Sequence, residues 1–447
     1  MIKRLSKASV SLVEKYLPDP FLFAIGLTFV VFILGILFTE NGYMDMAIYF
    51  GEGFWDLLEF AMQMCLILVT GHALASSSAF NKLLTNLASI PNSPGTATAF
   101  TAFVAAIACW INWGFGLVIG ALFAKEIAKQ VKDVDYRLLI ASAYSGFIVW
   151  HAGLSGSIPL TVATDGHFME EALGIIPTAN TIFTAYNLII AIVLIITIPY
   201  INKKMLPDKE DRVIVDPEIL KEEDEESEEE TLGVKGDTFA DKIENSRIVS
   251  LLIGVIGLTY IVYYFSTEGF ALTLNIVNFV FLFTGIILHG TPRAYIDAFA
   301  EGVKGASGII LQFPFYAGIM GMMTGSGLAV MFSEFFVNIS TQVTLPFFSF
   351  ISAGIVNFFV PSGGGQWSVQ APIMVPAAQE IGADVARTAM AVAWGDAWTN
   401  MIQPFWALPA LGIAGLGARD IMGYCIIILL WTFIIAGVGL TVIPLII

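Results

Sequence analysis

Five long apolar runs decide what this chain can become. They occupy 20–39, 181–200, 248–265, 272–288 and 421–447. Each is near or above the roughly 18 residues that a helix needs to cross a bilayer. In hydrocarbon, every backbone N–H and C=O must be paired inside its own segment, so such runs fold as helices. Hydrophobic residues make up 57% of the chain and charged residues 13%, against about 25% charged in soluble domains. The expected fold is an all-α polytopic membrane protein. No small-residue cleavage pattern follows the first run, so that run is expected to stay as a helix.

The net charge of −16 is concentrated in one place. Residues 201–247 carry sixteen Asp or Glu against eight Lys or Arg, and 222–230 hold eight acids in nine positions. Such a run repels itself and stays solvated. It reads as a flexible linker between two halves, with no spacing that defines a metal site. Cys65, Cys109 and Cys425 all lie in apolar runs and read as packing residues. Basic residues are sparse and do not cluster, so no nucleic-acid partner is expected.

Two apolar stretches are broken in the same way, 249 residues apart. The first reads Asn112-Trp113-Gly114-Phe115-Gly116, and the second Pro361-Ser362-Gly363-Gly364-Gly365-Gln366-Trp367. Between them the order of breaks repeats: Asp135 falls on Asp384, Gly146 on Gly395 and His151 on Asn400. This predicts an internal repeat, and paired interruptions of this kind point to a transporter's binding site. Lysine and arginine placement then predicts orientation. Lys3, Arg4 and Lys7 precede the first span, and Lys125, Lys129, Lys132 and Arg137 surround the first break. The second break has only Arg387 nearby. The halves are therefore expected to be inverted, with the N-terminus cytoplasmic and the C-terminus outside.

The expected plan has about nine spans and two re-entrant hairpins. Residues 1–200 form the first repeat, with an interfacial arm at 44–56, a hairpin at 96–131 and a broken helix at 137–159. The linker 201–247 and a connecting helix at 248–266 follow. Residues 267–447 form the second repeat, with an interfacial segment at 292–306, a span at 307–328, a hairpin at 344–381 and a broken helix at 385–409.

At the hairpin tips, Gly114, Gly116, Gly363, Gly364 and Gly365 permit positive φ or close backbone approach, while Asn112, Trp113, Ser362 and Gln366 add polar or aromatic groups. The competing reading is tight helix packing at small residues. Behind each tip lies a broken span. The first holds His151 and Ser155; the second holds Asp396, Thr399 and Asn400. An ionisable group at membrane depth is a functional hypothesis by default. Asp396, with Thr399, Asn400 and Ser362, could hold Na⁺; its carboxylate could instead carry a proton. His151 could donate to a substrate carboxylate or titrate. Trp113, Phe115, Trp150, Trp367, Trp398 and Trp406 would suit a short apolar tail. No ATP-binding loop or hydrolase motif occurs, so no enzyme and no resident cofactor is expected beyond a coupling ion.

Three stretches carry a resemblance. They are Trp110-Ile111-Asn112-Trp113-Gly114-Phe115-Gly116-Leu117, the run from Pro361 through Gln366, Trp367 and Ser368 to Pro372, and Gly395-Asp396-Ala397-Trp398-Thr399-Asn400. Through them the chain resembles the short-chain fatty acid transporters of the ion transporter superfamily over nearly its full length. The resemblance implies inverted repeats, homodimers and elevator-type movement in the cytoplasmic membrane. It also implies ion-coupled uptake of butyrate, acetate or acetoacetate. Superfamily members that use Na⁺ carry Ser-Asn-Thr-type tips. The tips here differ, which leaves Na⁺ and H⁺ both open. The alternatives are a carrier of another small anion, such as a dicarboxylate, or a membrane-embedded enzyme using Asp396 and His151.

Overall fold

A computed structural model describes residues 2–16, 20–215, 238–269, 274–328, 330–331, 335, 338–358, 361–403 and 405–446. The described residues are nearly all helical and form no strand. The acidic run at 222–230 lies outside the described residues.

Among the described residues, six helices are long and apolar enough to cross a membrane: Pro94–Ile111, Tyr136–Val162, Ala185–Met205, Arg247–Thr267, Pro292–Gly325 and Ala418–Ile446. A seventh candidate is the pair Tyr43–Gly53 and Leu58–Leu74, bent by 48°. Shorter apolar helices, Ala24–Phe38 and Asn275–His289, fall on the expected spans at 20–39 and 271–289.

Two pairs of helices lie over the segments 96–131 and 344–381. Pro94–Ile111 and Trp113–Gln130 meet at Asn112, and Leu345–Val356 precedes Gly363–Glu380, which starts at Ser362. Each returning helix is capped by a side chain in extended backbone. Asn112 Oδ1 accepts from Phe115 N at 2.9 Å, and Ser362 Oγ from Gly365 N at 3.3 Å. Such caps satisfy donors that a helix start leaves unpaired. A matching pair of caps occurs one helix later. Asp135 caps Tyr136–Ser145 through Leu138 N, and Asp384 caps Val385–Thr399 through Arg387 N. Gly146 lies against Ala105 and Ala106 of its hairpin, as Gly395 lies against Phe350 and Ala353 of the other.

Two expectations need correction. The interfacial segment 292–306 and the span 307–328 are one continuous helix, Pro292–Gly325. Nothing between them breaks a helix, and Pro314 is accommodated inside it. In the first half the matching elements are separate helices, Tyr43–Gly53 and Leu58–Ala75. The N-terminal residues are also more than a basic flank. Ile2–Tyr16 is a helix packed on Ala418–Thr441, so closely that a Cβ on Gly423 would lie 2.2 Å from Val10 Cα.

Candidate functional site

The helices that follow the two pairs are each interrupted. The first runs as an α-helix over Tyr136–Ser145, tightens to a 3₁₀ turn over Gly146–Ala152, opens at 153–156 and resumes over Ser157–Val162. The second is helical over Val385–Thr399, opens after Asn400, and continues through the turn Phe405–Ala407 to Leu408–Ala414. The two breaks meet. His151 Nε2 lies 3.5 Å from Asp396 Oδ1, and both side chains have zero exposure. Tyr144 on the first span donates its hydroxyl to the Asn400 carbonyl of the second at 2.8 Å.

Asp396 sits in a polar cluster of its own half. Its Oδ1 accepts from Asn400 Nδ2 at 3.2 Å. Asn357, at the end of the outgoing hairpin helix, donates its amide to Asp396 O at 3.1 Å, to Thr399 Oγ1 at 2.8 Å and to Asn400 Oδ1 at 2.9 Å. Thr399 Oγ1 also donates to Gly395 O at 3.3 Å. Asp396, Thr399 and Asn400 thus lie together, with Asn357 at their centre. Ser362 Oγ is engaged in its own helix start instead.

The second tip touches the first break. A Cβ on Gly363 would lie 2.5 Å from His151 Cε1 and 2.6 Å from Nε2. Only a glycine lets this helix start so near the ring. None of the five tip glycines has positive φ, so close approach explains them rather than a special backbone state. Gly114 lies against Ile67, Gly116 against Cys109 and Gly364 against Phe60, with Gly365 over the Ser362 side chain. At the first tip, Trp113 N donates to Ser155 Oγ at 2.8 Å, which ties that tip to the same break. Gln366 turns inward, donating to Ala353 O at 2.7 Å and Gln370 Oε1 at 2.8 Å.

The aromatic residues divide. Trp113, Trp150 and Trp406 form one cluster with Phe147. Trp113 and Trp406 centroids are 4.8 Å apart, and Phe147 stacks on Trp150 at 5.2 Å. Trp150 in turn lies 3.6 Å from the His151 ring. Phe115, Trp367 and Trp398 go elsewhere. Phe115 meets Phe281, Trp367 joins a separate core with Ile158 and Val162, and Trp398 donates to Leu429 O. The cluster is buried, yet the indole N–H groups of Trp113, Trp150 and Trp406 have no acceptor. Asn112 Nδ2, Asp396 Oδ2 and both His151 ring nitrogens also lack a hydrogen-bond partner. At 3.5 Å, His151 Nε2 is within ion-pair range of Asp396 without hydrogen-bond geometry. Buried orphaned polar atoms cost about 1–3 kcal/mol each. These orphaned atoms are concentrated around the junction of the two breaks.

Asn357 and Asn187 are the residues that sequence reasoning missed. Asn187 accepts from Trp394 Nε1 at 2.9 Å and donates to Ala152 O at 3.3 Å, linking both broken spans to Ala185–Met205. The available signal was a buried amide in an otherwise apolar run.

The match to known proteins decides the family. The model of the family described as short chain fatty acid transporter matches residues 1–443. The chain belongs to the short-chain fatty acid transporter family. An Escherichia coli K12 relative named "Putative short-chain fatty acid transporter" is 46% identical over 441 residues, covering 99% of this chain and 100% of that one. A Haemophilus influenzae relative of the same name is 47% identical over 450 residues, with 98% and 99% covered. Among solved structures, the Alcanivorax borkumensis YdaH transporter, described as having an unusual topology, superposes with TM-score 0.51 at 15% identity. It covers 95% of this chain and 97% of its own. That likeness concerns the fold alone. As a member of this family, the transporter is a multi-pass membrane protein handling small molecules.

Proposed function

We propose that this transporter carries short monocarboxylates, such as butyrate, acetate or acetoacetate, across the cytoplasmic membrane together with a cation. The observation that carries the reading is the junction of the second tip, His151 and Asp396 at zero exposure. Two capped helix starts, at Trp113 and Gly363, bring positive dipole ends toward this region, where an anion is favoured. The rings of Trp113, Phe147, Trp150 and Trp406 offer an apolar wall for a short tail. A dicarboxylate would want fixed positive charge as well. Lys125 is the one buried Lys or Arg among the described residues, and it lies about 18 Å along its helix from the first tip.

The hairpins and broken spans are the moving part in this reading, with Leu58–Ala75 and the second half of Pro292–Gly325. The helices Pro20–Phe38, Ala185–Met205, Leu274–His289 and Ala418–Thr441 are the scaffold, which pairs with a second copy. Movement of the first part against the second alternates access, as rigid-body motion of one bundle does in secondary carriers. The basic-residue asymmetry supports an inverted repeat, a re-entrant course of both hairpins, a cytoplasmic N-terminus and an outside C-terminus in this reading. The test is uptake of labelled butyrate into proteoliposomes under imposed Na⁺ or H⁺ gradients, against protein-free vesicles. Uptake under one gradient, lost in Asp396→Asn, supports the reading. No uptake of any short monocarboxylate under either gradient refutes it.

A further inference from the structure

Three buried amides around the junction are each turned by a backbone group, and what they leave over differs between the two halves. Asn112 must set Oδ1 toward Phe115 N, because a backbone N–H only donates. Its Nδ2 is left as a donor without a partner, at zero exposure. Asn357 must set Nδ2 toward Asp396 O, and Gln366 must set Nε2 toward Ala353 O, because a carbonyl only accepts. Left over are Asn357 Oδ1 and Gln366 Oε1, both acceptors, together with Asp396 Oδ2. The first tip is therefore short of acceptors, and the second tip with its break is short of donors.

The aromatic cluster adds to the donors at the first tip. An indole nitrogen only donates. Those of Trp113, Trp150 and Trp406 have no acceptor among the described residues, and these side chains are at most 2% exposed. Their ring centroids lie 4.8 to 6.0 Å apart. Trp113 also opens the returning helix, whose start favours negative charge. A neighbouring ring face is a weak partner for an N–H beside a charged oxygen. Ser157 Oγ and Trp367 Nε1 are unpartnered too. Trp367 lies in the separate core with Ile158 and Val162.

We propose that the substrate carboxylate is seated at the first tip, on Asn112 Nδ2 and the indole N–H groups of Trp113, Trp150 and Trp406, with no cationic side chain taking part. This rests on the monocarboxylate reading above and assigns its head group to named atoms. A carboxylate presents about four lone-pair sites, which one amide and three indoles can fill. These donors are already without water, so the new hydrogen bonds are not offset by stripping them. The ring carbons, with Phe147, border the short tail. At the second tip and break the same head group would meet Asn357 Oδ1, Gln366 Oε1 and Asp396 Oδ2, oxygen against oxygen.

The test is nuclear magnetic resonance of the full chain in lipid nanodiscs, with the indole nitrogens labelled, titrated with butyrate. The chain has nine tryptophans. The signals of Trp113, Trp150 and Trp406 are assigned from their loss in Trp113→Phe, Trp150→Phe and Trp406→Phe. Trp394, Trp398 and Trp431 already donate to Asn187, Leu429 and Thr197 and serve as references. Butyrate is expected to move the first three indole protons downfield and to leave the references in place. Asn112→Asp supplies the second measurement. It keeps the oxygen that caps Phe115 N, and Asp caps a helix as well as Asn does, so the fold is retained. The free donor becomes an acceptor, and butyrate affinity should fall about tenfold or more. Butyrate binding that leaves the three signals unmoved, or that is undiminished in Asn112→Asp, overturns this seat while the monocarboxylate reading stands. No binding of butyrate, acetate or acetoacetate to the unmutated chain overturns the reading beneath it.

Discussion

Gly363 and His151 touch across the two halves of the chain. The start of the second hairpin's returning helix lies so close to the imidazole that a Cβ would meet Cε1 at 2.5 Å. The ring cannot retreat cheaply, since it is fully buried and packed 3.6 Å from Trp150. Gly363→Ala is therefore expected to cost about 1–3 kcal/mol of stability by overpacking and to abolish butyrate uptake. Gly364→Ala meets the edge of the partly buried Phe60 ring instead and should cost less. Thermal unfolding and vesicle uptake of both variants check this order. Equal, mild effects would remove the contact from the site.

Asn357 organises the second break through one amide. Asn357→Ala removes a donor shared by Asp396 O, Thr399 Oγ1 and Asn400 Oδ1. Leaving buried acceptors unpaired costs about 1–3 kcal/mol. Asn357→Asp should be worse, because its oxygens would face carbonyl and amide oxygens. Denaturation in detergent with matched uptake assays would show that ranking. A stable, active Asn357→Asp would contradict the donor role.

The indole N–H groups of Trp113, Trp150 and Trp406 are buried without acceptors. Replacing Trp150 or Trp406 by Phe keeps a ring and removes an orphaned donor. Ligand-free stability should hold or rise by up to about 1 kcal/mol, while butyrate binding weakens several-fold. Calorimetry with butyrate, beside thermal unfolding, reads both. Unchanged affinity in each variant would exclude the indoles from substrate contact.

A short strap ties the N-terminal helix to the base of the first broken span. Lys3 pairs with Asp208 at 2.6 Å, Lys7 with Asp211 at 3.2 Å, and Lys209 with Asp133 at 3.0 Å. Behind these exposed pairs, Asp135 Oδ2 accepts from Val213 N, and Val213 O accepts from Tyr136 N, both at 2.8 Å. The Lys209 ammonium holds the Asp133 carboxyl below its ordinary range, as Lys3 does for Asp208. A lowered value means that the contact is in force above the ordinary carboxylate pKa and is lost as pH falls through the lowered one. The Lys209–Asp133 and Lys3–Asp208 contacts are then fully formed at neutral pH and loosen only in acid, below about pH 4. Salt acts sooner, because exposed pairs are screened. Hydrogen exchange at about 0.5 M salt should speed up at 208–211 and leave the Val213 and Tyr136 amides protected. Uniform loss of protection would show that no buried anchor exists.

The site was legible in the sequence where chemistry was out of place. Asp396 and His151 stood out because ionisable groups at membrane depth are costly, and the glycine-rich tips stood out as breaks in apolar runs. Their contact across the repeat was not legible, since nothing in local spacing says which break faces which tip. Asn357 was hidden for a different reason. Its position in the first half is Ala108, so the repeat gave no echo of it. The helix Pro292–Gly325 is continuous because the second half has no breaker at the place where the first half bends. The helix Ile2–Tyr16 was read for its charges, while its packing surface on Gly423 depends on residues far along the chain.

The most direct test of the central claim, a monocarboxylate carrier, is counterflow. Proteoliposomes loaded with unlabelled butyrate are diluted into a trace of labelled butyrate, so passive leak and ion gradients drop out of the comparison with protein-free vesicles. The account predicts a transient accumulation of label above equilibrium. External acetate or acetoacetate should compete with it, and a dicarboxylate such as succinate should leave it unaffected. No accumulation beyond protein-free vesicles with any short monocarboxylate, or equal competition by succinate, would contradict it.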